Sequence, residues 1–514
     1  AAAAWRLLEA HRRARRRTRR LAIRTGSPYA AEALREAAAA VGLEVHASAP
    51  CVWGDFSLLD WDGLLQDTGD VPSGCRFSCL YLRASLVRKA MLAHYLSKRG
   101  AGASSVLPEG FVVDLEDESD VEDLRRKLER WPLPPAAPGA AGHPLWVAKA
   151  STANRGELLF LGRAAGELVD LIRPAALDGG VAEWVLQRYV APPLLLRGRK
   201  FHVRAHALVS GCPRCGFSRA WLHREHHVIL LAGAEYEAAS ADRLAHLTNH
   251  CVQVEHPGYC EEQQILRLGE LDCAAGRPGL AAWVLEEMGR ELAEALGAAA
   301  RSPAGFAPLP QCFELLGADF TLEDRGADRL PGVWLLEVNA GPDLNVFGSR
   351  LRPQCVELLA DVLRCAVEPQ LEARSAAQRF VGARRCGCQR AAQATGFGAC
   401  IWSSAPKAAS AAEELAGLRR RLGVAGRWAK ALHEASGIVV RGAQGEVARA
   451  AGAQTALLET AMREQEEKMR LEQKEAIQAR VGEAAFRAAD AFLQTPLDRG
   501  PSGLRAGGRD RAGI

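Results

Sequence analysis

The chain has 514 residues, enough for two to four domains with cores of their own. Hydrophobic residues make up 48% and charged residues 25%, the balance of an ordinary soluble protein. A formal net charge of +4 gives no global field that would argue for nucleic acid, and no apolar run reaches the ~18 residues that suggest a membrane span.

Residues 1–20 are low-complexity Ala and Arg. The basic run at 11–20 reads as a solvated arm, with contact to an acidic partner as the alternative. It is Arg-rich and acid-poor like a transit peptide but lacks Ser, and no secretory apolar segment follows it. The chain does not begin with Met, so an incomplete or processed chain is expected. Residues 21–24 read as a strand and 29–41 as a helix, started by Thr25-Gly26-Ser27-Pro28. A second helix is expected over 82–96, a short strand at 111–113, and a Pro/Ala/Gly loop over 132–144. Strands follow at 146–149 and 184–190, with a helix at 164–172 between them. Residues 201–209 and 219–231 read as a hairpin pair, 281–299 as a strong helix and 354–366 as a final helix. After about Pro369 the composition shifts to Ala, Arg, Glu and Gln, and 455–481 reads as a lone solvated helix.

The most informative segment is 312–343, two strands joined by a loop. The first carries Asp319. The second runs Val333-Trp334-Leu335-Leu336-Glu337-Val338-Asn339, and a period of two puts Glu337 and Asn339 on one face. Two carboxylates and a carboxamide make an all-oxygen donor set that suits Mg²⁺, which keeps some waters and shares nucleotide phosphates. The plain alternative is two polar residues at an exposed strand edge.

Four further clusters carry chemistry. Lys149 leaves a strand and is followed by small residues and Arg155-Gly156, as a phosphate-covering loop requires, although there is no Gly-Lys-Ser of a Walker A loop. Lys200, His202 and Arg204 share one strand face, where three ionisable groups repel unless an anion sits there; Arg224 on the following strand is expected to join them. Gln187-Arg188-Tyr189 ends a strand that can present backbone groups to an adenine edge, with plain core as the competing reading. His246, Thr248 and Asn249 read as hydrogen-bonding groups for a ligand, against a satisfied polar turn. Cys212-Pro213-Arg214-Cys215 lacks the partner pair a structural zinc needs, and the 14 scattered Cys favour reduced thiols in a cytosolic protein.

In order along the chain, AIRTGSPYAAEALREAAAAVGLEV, LRASLV, WVAKASTANRGELL, VLQRYVAPPLLL, RKFHVRAHALV, HLTNHCVQ and LLEVNAGP resemble the tubulin–tyrosine ligase and ligase-like family, an ATP-grasp family. The match spans roughly Ala22 to Pro369, and HLTNHCVQ and APPLLL are closer to the tyrosine ligase than to the glutamylating or glycylating branches.

The resemblance implies an α+β, ATP-grasp fold, with two lobes at 105–210 and 211–370 clamping ATP. It implies a small N-terminal α/β domain for the tubulin body at 21–104, preceded by the basic arm at 1–20; residues 371–514 form a helical or disordered extension. Asp319, Glu337 and Asn339 would hold Mg²⁺. Arg83, Lys149 and Arg155 would touch nucleotide phosphates. Gln187, Arg188 and Tyr189 would line the adenine pocket, with Lys200 and His202 on the sugar side. Arg204, Arg224 and the Thr248–Asn249 turn would face the γ-phosphate and the acceptor carboxylate, with Arg204, Arg224 and Lys149 acting in catalysis. The implied reaction joins an amino acid, tyrosine, to the C-terminal carboxylate of α-tubulin through an acylphosphate. The implied location is cytoplasmic, with microtubule or cilium association, and with no nucleic-acid or membrane partner.

Three departures bear on turnover. His202 stands where the family has Asp, Gly156-Glu157-Leu158 lacks the second Gly of the phosphate loop, and Arg83, Arg155 and Arg188 stand where relatives mostly have Lys. The alternatives are a polyglutamylase- or glycylase-type ligase and a catalytically weak tubulin-binding pseudo-ligase.

Overall fold

The computed structural model describes residues 19–59, 76–98, 106–131, 146–368 apart from short gaps at 152, 154–157, 213–216, 241, 255–257 and 302–304, and 395–404. Arg155, Cys215, the loop at 132–144 and the helix expected over 455–481 lie outside the described residues.

The first sheet is parallel, in the order β2 (Glu44–Val45), β1 (Arg20–Arg24), β3 (Cys51–Gly54), β4 (Arg76–Phe77). The helix Pro28–Ala40 crosses between β1 and β2; Ser27 caps it by accepting from the Ala30 amide, and Pro28 stands in its first turn. The helix expected over 82–96 is broken into Ala84–Val87 and Lys89–Ser97.

The second sheet is antiparallel, in the order β5 (Gly110–Asp114), β8 (Glu183–Arg188), β6 (Trp146–Ala150), β7 (Leu159–Gly162). The helices Glu118–Arg130 and Ala165–Arg173 set Leu124, Leu128, Leu168 and Ile172 against Trp146 and Trp184.

The third sheet is built on β10 (Arg199–Gly211). The short β9 (Leu195–Leu196) pairs with the start of β10; one edge of β10 then pairs first with β12 (Val228–Leu231), itself paired with β13 (Ile265–Arg267), and then with β11 (Ser218–His223). The other edge pairs with β14 (Phe313–Glu323), which pairs with β15 (Gly332–Ala340). Val203, Ala205 and Ala207 join Ala318 and Phe320 under the helix Leu280–Ala299, while Leu208, Phe313 and Leu315 pack under the helix Arg352–Ala366. Helices thus cover both faces of this sheet, and along β10 Arg199, Lys200 and Arg204, at its Lys200 end, stay half-buried.

Arg76 ties the first sheet to the third. It is fully buried, and its guanidinium donates to the carbonyls of Gly211 (2.9 Å) and Pro310 (2.6 Å) and to Ser210 Oγ (2.6 Å). The extension also contributes structure: β16 (Phe397–Ser404) pairs with β11, with Phe397 buried and Trp402 edge-on to Phe306. Among the described residues no helix is long and apolar enough to cross a membrane.

Candidate active site

Strand alternation puts Lys200, His202 and Arg204 of β10 on one face, and registry brings Arg204 opposite Asp319 and Asp319 opposite Glu337. A bulge sits at this point: Asp319 pairs with Glu337 while Phe320 pairs with Leu335, leaving Leu336 as the extra residue. Arg204 Nε and Nη2 grip both oxygens of Asp319, the latter at 2.9 Å. Gly317 makes room for that arginine: a Cβ there would lie 2.8 Å from Arg204 Cδ and 2.7 Å from Pro342 Cβ. Asn339 Nδ2, as oriented, lies 3.3 Å from Asp319 Oδ2 and 3.1 Å from Glu337 Oε1, so its carboxamide stands between the two acids.

Cations surround these acids. Lys89 Nζ lies 3.4 Å from Glu337 Oε2 and donates to the Ala153 carbonyl at 2.6 Å, joining the loop after β6 to β15. Burial alone would raise the Glu337 carboxyl, but Lys89 and Lys149 overcome it and bring it down to about 2. Burial holds the Lys149 ammonium down to about 8. Burial and then the charge of Lys149 hold Lys200 down to about 7. Lys200 Nζ donates to Tyr189 Oη (2.9 Å) and the His246 carbonyl (3.0 Å), and Tyr189 Oη lies 3.0 Å from His246 Nδ1. His202 Nδ1 lies 2.6 Å from Thr248 Oγ1; burial holds the imidazole down to about 4.

The structure thus brings together Asp319, Glu337, Asn339, Lys149, Lys200, His202, Arg204, Tyr189 and Thr248. It sends three others elsewhere. Arg83 pairs with the buried Glu314, which is five residues from Asp319 and on the opposite face of β14, and lies over the Phe56 ring. Arg224 lies just past β11 rather than within it; it is exposed, its amide bonds the Gly396 carbonyl, and its side chain runs beside Gly398. The Arg188 guanidinium stacks on Trp146 at 4.3 Å beside Glu109. Gln187 is buried in the second sheet, and Asn249 stands at the start of the helix His250–Gln253 without capping it through its side chain. Lys89 is the residue the sequence reading missed. It stands two residues beyond LRASLV, in Arg88-Lys89, and only the fold carries it to Glu337.

The donor set fits Mg²⁺ by its chemistry. It offers an ionised Glu337, Asp319 and the Asn339 carboxamide, all oxygen donors once the amide turns its oxygen inward. Among the described residues no three His, Cys, Asp or Glu side chains form a closed cage, so a cation here needs oxygens from outside the protein, as Mg²⁺ on nucleotide phosphates does.

The family model described as the tubulin-tyrosine ligase family matches residues 81–375. The chain belongs to the tubulin-tyrosine ligase family. The match takes in the segments from LRASLV to LLEVNAGP, the whole second sheet and strands β10 to β15 of the third, the α+β arrangement expected of the ATP-grasp fold that the resemblance implies. Enzymes of that fold use ATP and typically Mg²⁺. The chain is 26% identical over 361 residues to a probable tubulin–tyrosine ligase of Schizosaccharomyces pombe, covering 62% of this chain and 83% of that protein. It is 23% identical over 243 residues to tubulin glycylase 3A of Drosophila melanogaster, covering 46% of this chain and 23% of that protein. A protein polyglycylase of Macaca fascicularis is 27% identical over 252 residues, covering 44% of this chain and 38% of that protein. The chain therefore spans most of the first relative and well under half of the two glycylases. Among solved structures, the C-terminal domain of K. lactis Pby1, described as an ATP-grasp enzyme interacting with the mRNA decapping enzyme Dcp2, overlays loosely. Its TM-score is 0.47 at 20% identity, covering 68% of this chain and 94% of that chain.

Proposed function

We propose that this ligase uses ATP and Mg²⁺ to join an amino acid, tyrosine in the first instance, to the C-terminal carboxylate of α-tubulin. The observation that carries the reading is the cluster of four cations, Lys89, Lys149, Lys200 and Arg204, around the carboxylates Asp319 and Glu337, with Asp343 also acting on Arg204. A surplus of buried positive charge asks for a polyanion.

A carboxylate is a poor electrophile. Transfer of the γ-phosphoryl group to a carboxylate oxygen, with ADP leaving, gives an acylphosphate; the amine nitrogen then attacks the acyl carbon, phosphate leaves and the nitrogen loses a proton. Lys149 and Arg204 stabilise the charge on the transferring group and on the tetrahedral intermediate. Lys89 holds the loop after β6 against β15, and Lys200 with Tyr189 forms the far wall beside the nucleotide. Mg²⁺, when bound, neutralises charge on the phosphate oxygens. No side-chain nucleophile is needed.

HLTNHCVQ and APPLLL support tyrosine, whereas the glycylases among the relatives support glycine as the second reading. Incubating the full chain with detyrosinated tubulin, ATP, Mg²⁺ and labelled tyrosine, glutamate or glycine separates them. Incorporation of tyrosine alone is expected; incorporation of glycine or glutamate reassigns the substrate, and no ATP-dependent incorporation removes the reading. The cytoplasm is the proposed compartment, with the basic run at 11–20 meeting the acidic tubulin tail.

A further inference from the structure

His202 stands at the edge of the site with one nitrogen unused. It is only 4% exposed. Its Nδ1 is held by Thr248 Oγ1 at 2.6 Å, yet its Nε2, also buried, has no hydrogen-bond partner. That Nε2 lies 3.7 Å from Asp319 Oδ1, too far for a hydrogen bond. A buried ring nitrogen without a partner is unfavourable in either tautomer. With the proton on Nδ1 and donated to Thr248, a lone pair on Nε2 faces a carboxylate oxygen with nothing between them. The gap is within the reach of two metal–ligand bonds of about 2.1 Å each. Metal-bound histidines commonly have the other nitrogen fixed by a hydrogen bond, which is the service Thr248 performs here.

Neighbouring side chains leave this nitrogen to a ligand. Lys200 is occupied by Tyr189 and the His246 carbonyl, and Arg204 by Asp319. Glu337 stands on the Lys89 side, so imidazole and acids do not close a three-sided cage by themselves. The shell would be completed by Glu337, the Asn339 carboxamide and phosphate oxygens.

We propose that His202 is a ligand of the nucleotide-bound cation through Nε2, beside Asp319 and Asn339, and that this nitrogen moves the site's preference from Mg²⁺ towards Mn²⁺. Mg²⁺ is a hard ion that favours oxygen, whereas imidazole suits the transition metals. The inference rests on the nucleotide–metal reading above and adds a nitrogen to its oxygen set.

The test is electron paramagnetic resonance of Mn²⁺ bound to the full chain, alone and with a non-hydrolysable ATP analogue, with electron spin echo modulation to detect a ¹⁴N ligand. The expected result is ¹⁴N coupling in the wild-type chain that disappears in His202→Asp, a change that keeps a metal-binding side chain. His202→Asn is run alongside in case the new carboxylate is not tolerated. Mn²⁺ should also displace Mg²⁺ more easily from wild type than from either variant, by on the order of tenfold. Bound Mn²⁺ with no ¹⁴N coupling, or with coupling that survives both substitutions, overturns the role of His202 and leaves the nucleotide site standing. Failure of Mn²⁺ to bind in both arms overturns the metal reading itself, and the inference with it.

Discussion

Strand β10 runs through two buried clusters of ionisable groups, and they differ in charge balance. At its Lys200 end, Lys89, Lys149, Lys200 and Arg204 gather around Asp319 and Glu337, and positive charge is left over. Further along, His206 meets His226 and His227 beside His223, and hydrogen bonds within the cluster hold these rings, although His206 Nε2 has no partner among the described residues. His227 accepts from the His206 amide at 3.0 Å and bonds the His223 carbonyl at 2.6 Å; His223 pairs with Asp361 at 3.3 Å and His226 with Glu357 at 3.2 Å. Burial holds the His226 ring down to about 4 and the His227 ring down to about 3, so they stay neutral. The first cluster carries surplus positive charge, whereas the second is held by packing and hydrogen bonds between its rings and the backbone.

Breaking the charged cluster should have the largest effect. Glu337→Gln leaves Lys89 and Lys149 facing a neutral group and removes an oxygen donor. Its ligation rate should fall by about 10²-fold or more, with thermal stability largely kept. A rate within a few-fold of wild type would show that Glu337 does not hold the cation.

The lysines sharpen the contrast through pH. In the free protein Lys200 is held down to about 7 and Lys149 to about 8. Phosphates favour the charged ammonium, so binding raises both pKa values and takes up protons above about pH 7. ATP affinity should therefore fall as pH rises from 7 to 9, by up to about tenfold per pH unit for each lysine. Calorimetry at pH 8 in two buffers of different ionisation enthalpy checks this; identical heats would mean no proton uptake.

The histidine cluster should respond in the opposite sense. His223→Ala removes the partner of Asp361 and the ring edge-on to Phe397. Stability should drop by about 2 kcal/mol while ATP affinity holds. A loss of ATP affinity with the fold intact would mean that the two clusters are coupled.

The smallest effect is expected at Leu158, which takes φ 47°, a left-handed backbone that favours glycine, at the position where the resemblance implies the second Gly of a phosphate loop. Leu158→Gly relieves about 1 kcal/mol of strain and gives up packing on the second sheet's core, so stability should change by less than about 1 kcal/mol. A loss well beyond that, by denaturant titration, would assign the side chain a larger packing role.

Much of this was legible locally. The helix started by Ser27-Pro28, the shared face of Lys200, His202 and Arg204, and the shared face of Glu337 and Asn339 all follow from periods of 3.6 and 2 that neighbouring residues set. What was not legible depends on distant chain. Arg83 finds Glu314 across 231 residues, Lys89 reaches β15, and β16 forms only because the edge of β11 is open to it. A short apolar run in an Ala- and Arg-rich extension carries no signal of that edge. Arg224 stands one residue beyond a strand that ends at His223.

The central claim, activation of a carboxylate by ATP, is tested most directly by isotope transfer. Detyrosinated α-tubulin carrying ¹⁸O in its C-terminal carboxylate is ligated with ATP, and the released phosphate is examined by mass spectrometry. One ¹⁸O in each phosphate, in step with amino-acid incorporation, is the predicted result. Ligation with unlabelled phosphate, or ATP hydrolysis with no ligation to any of the three amino acids, would contradict it.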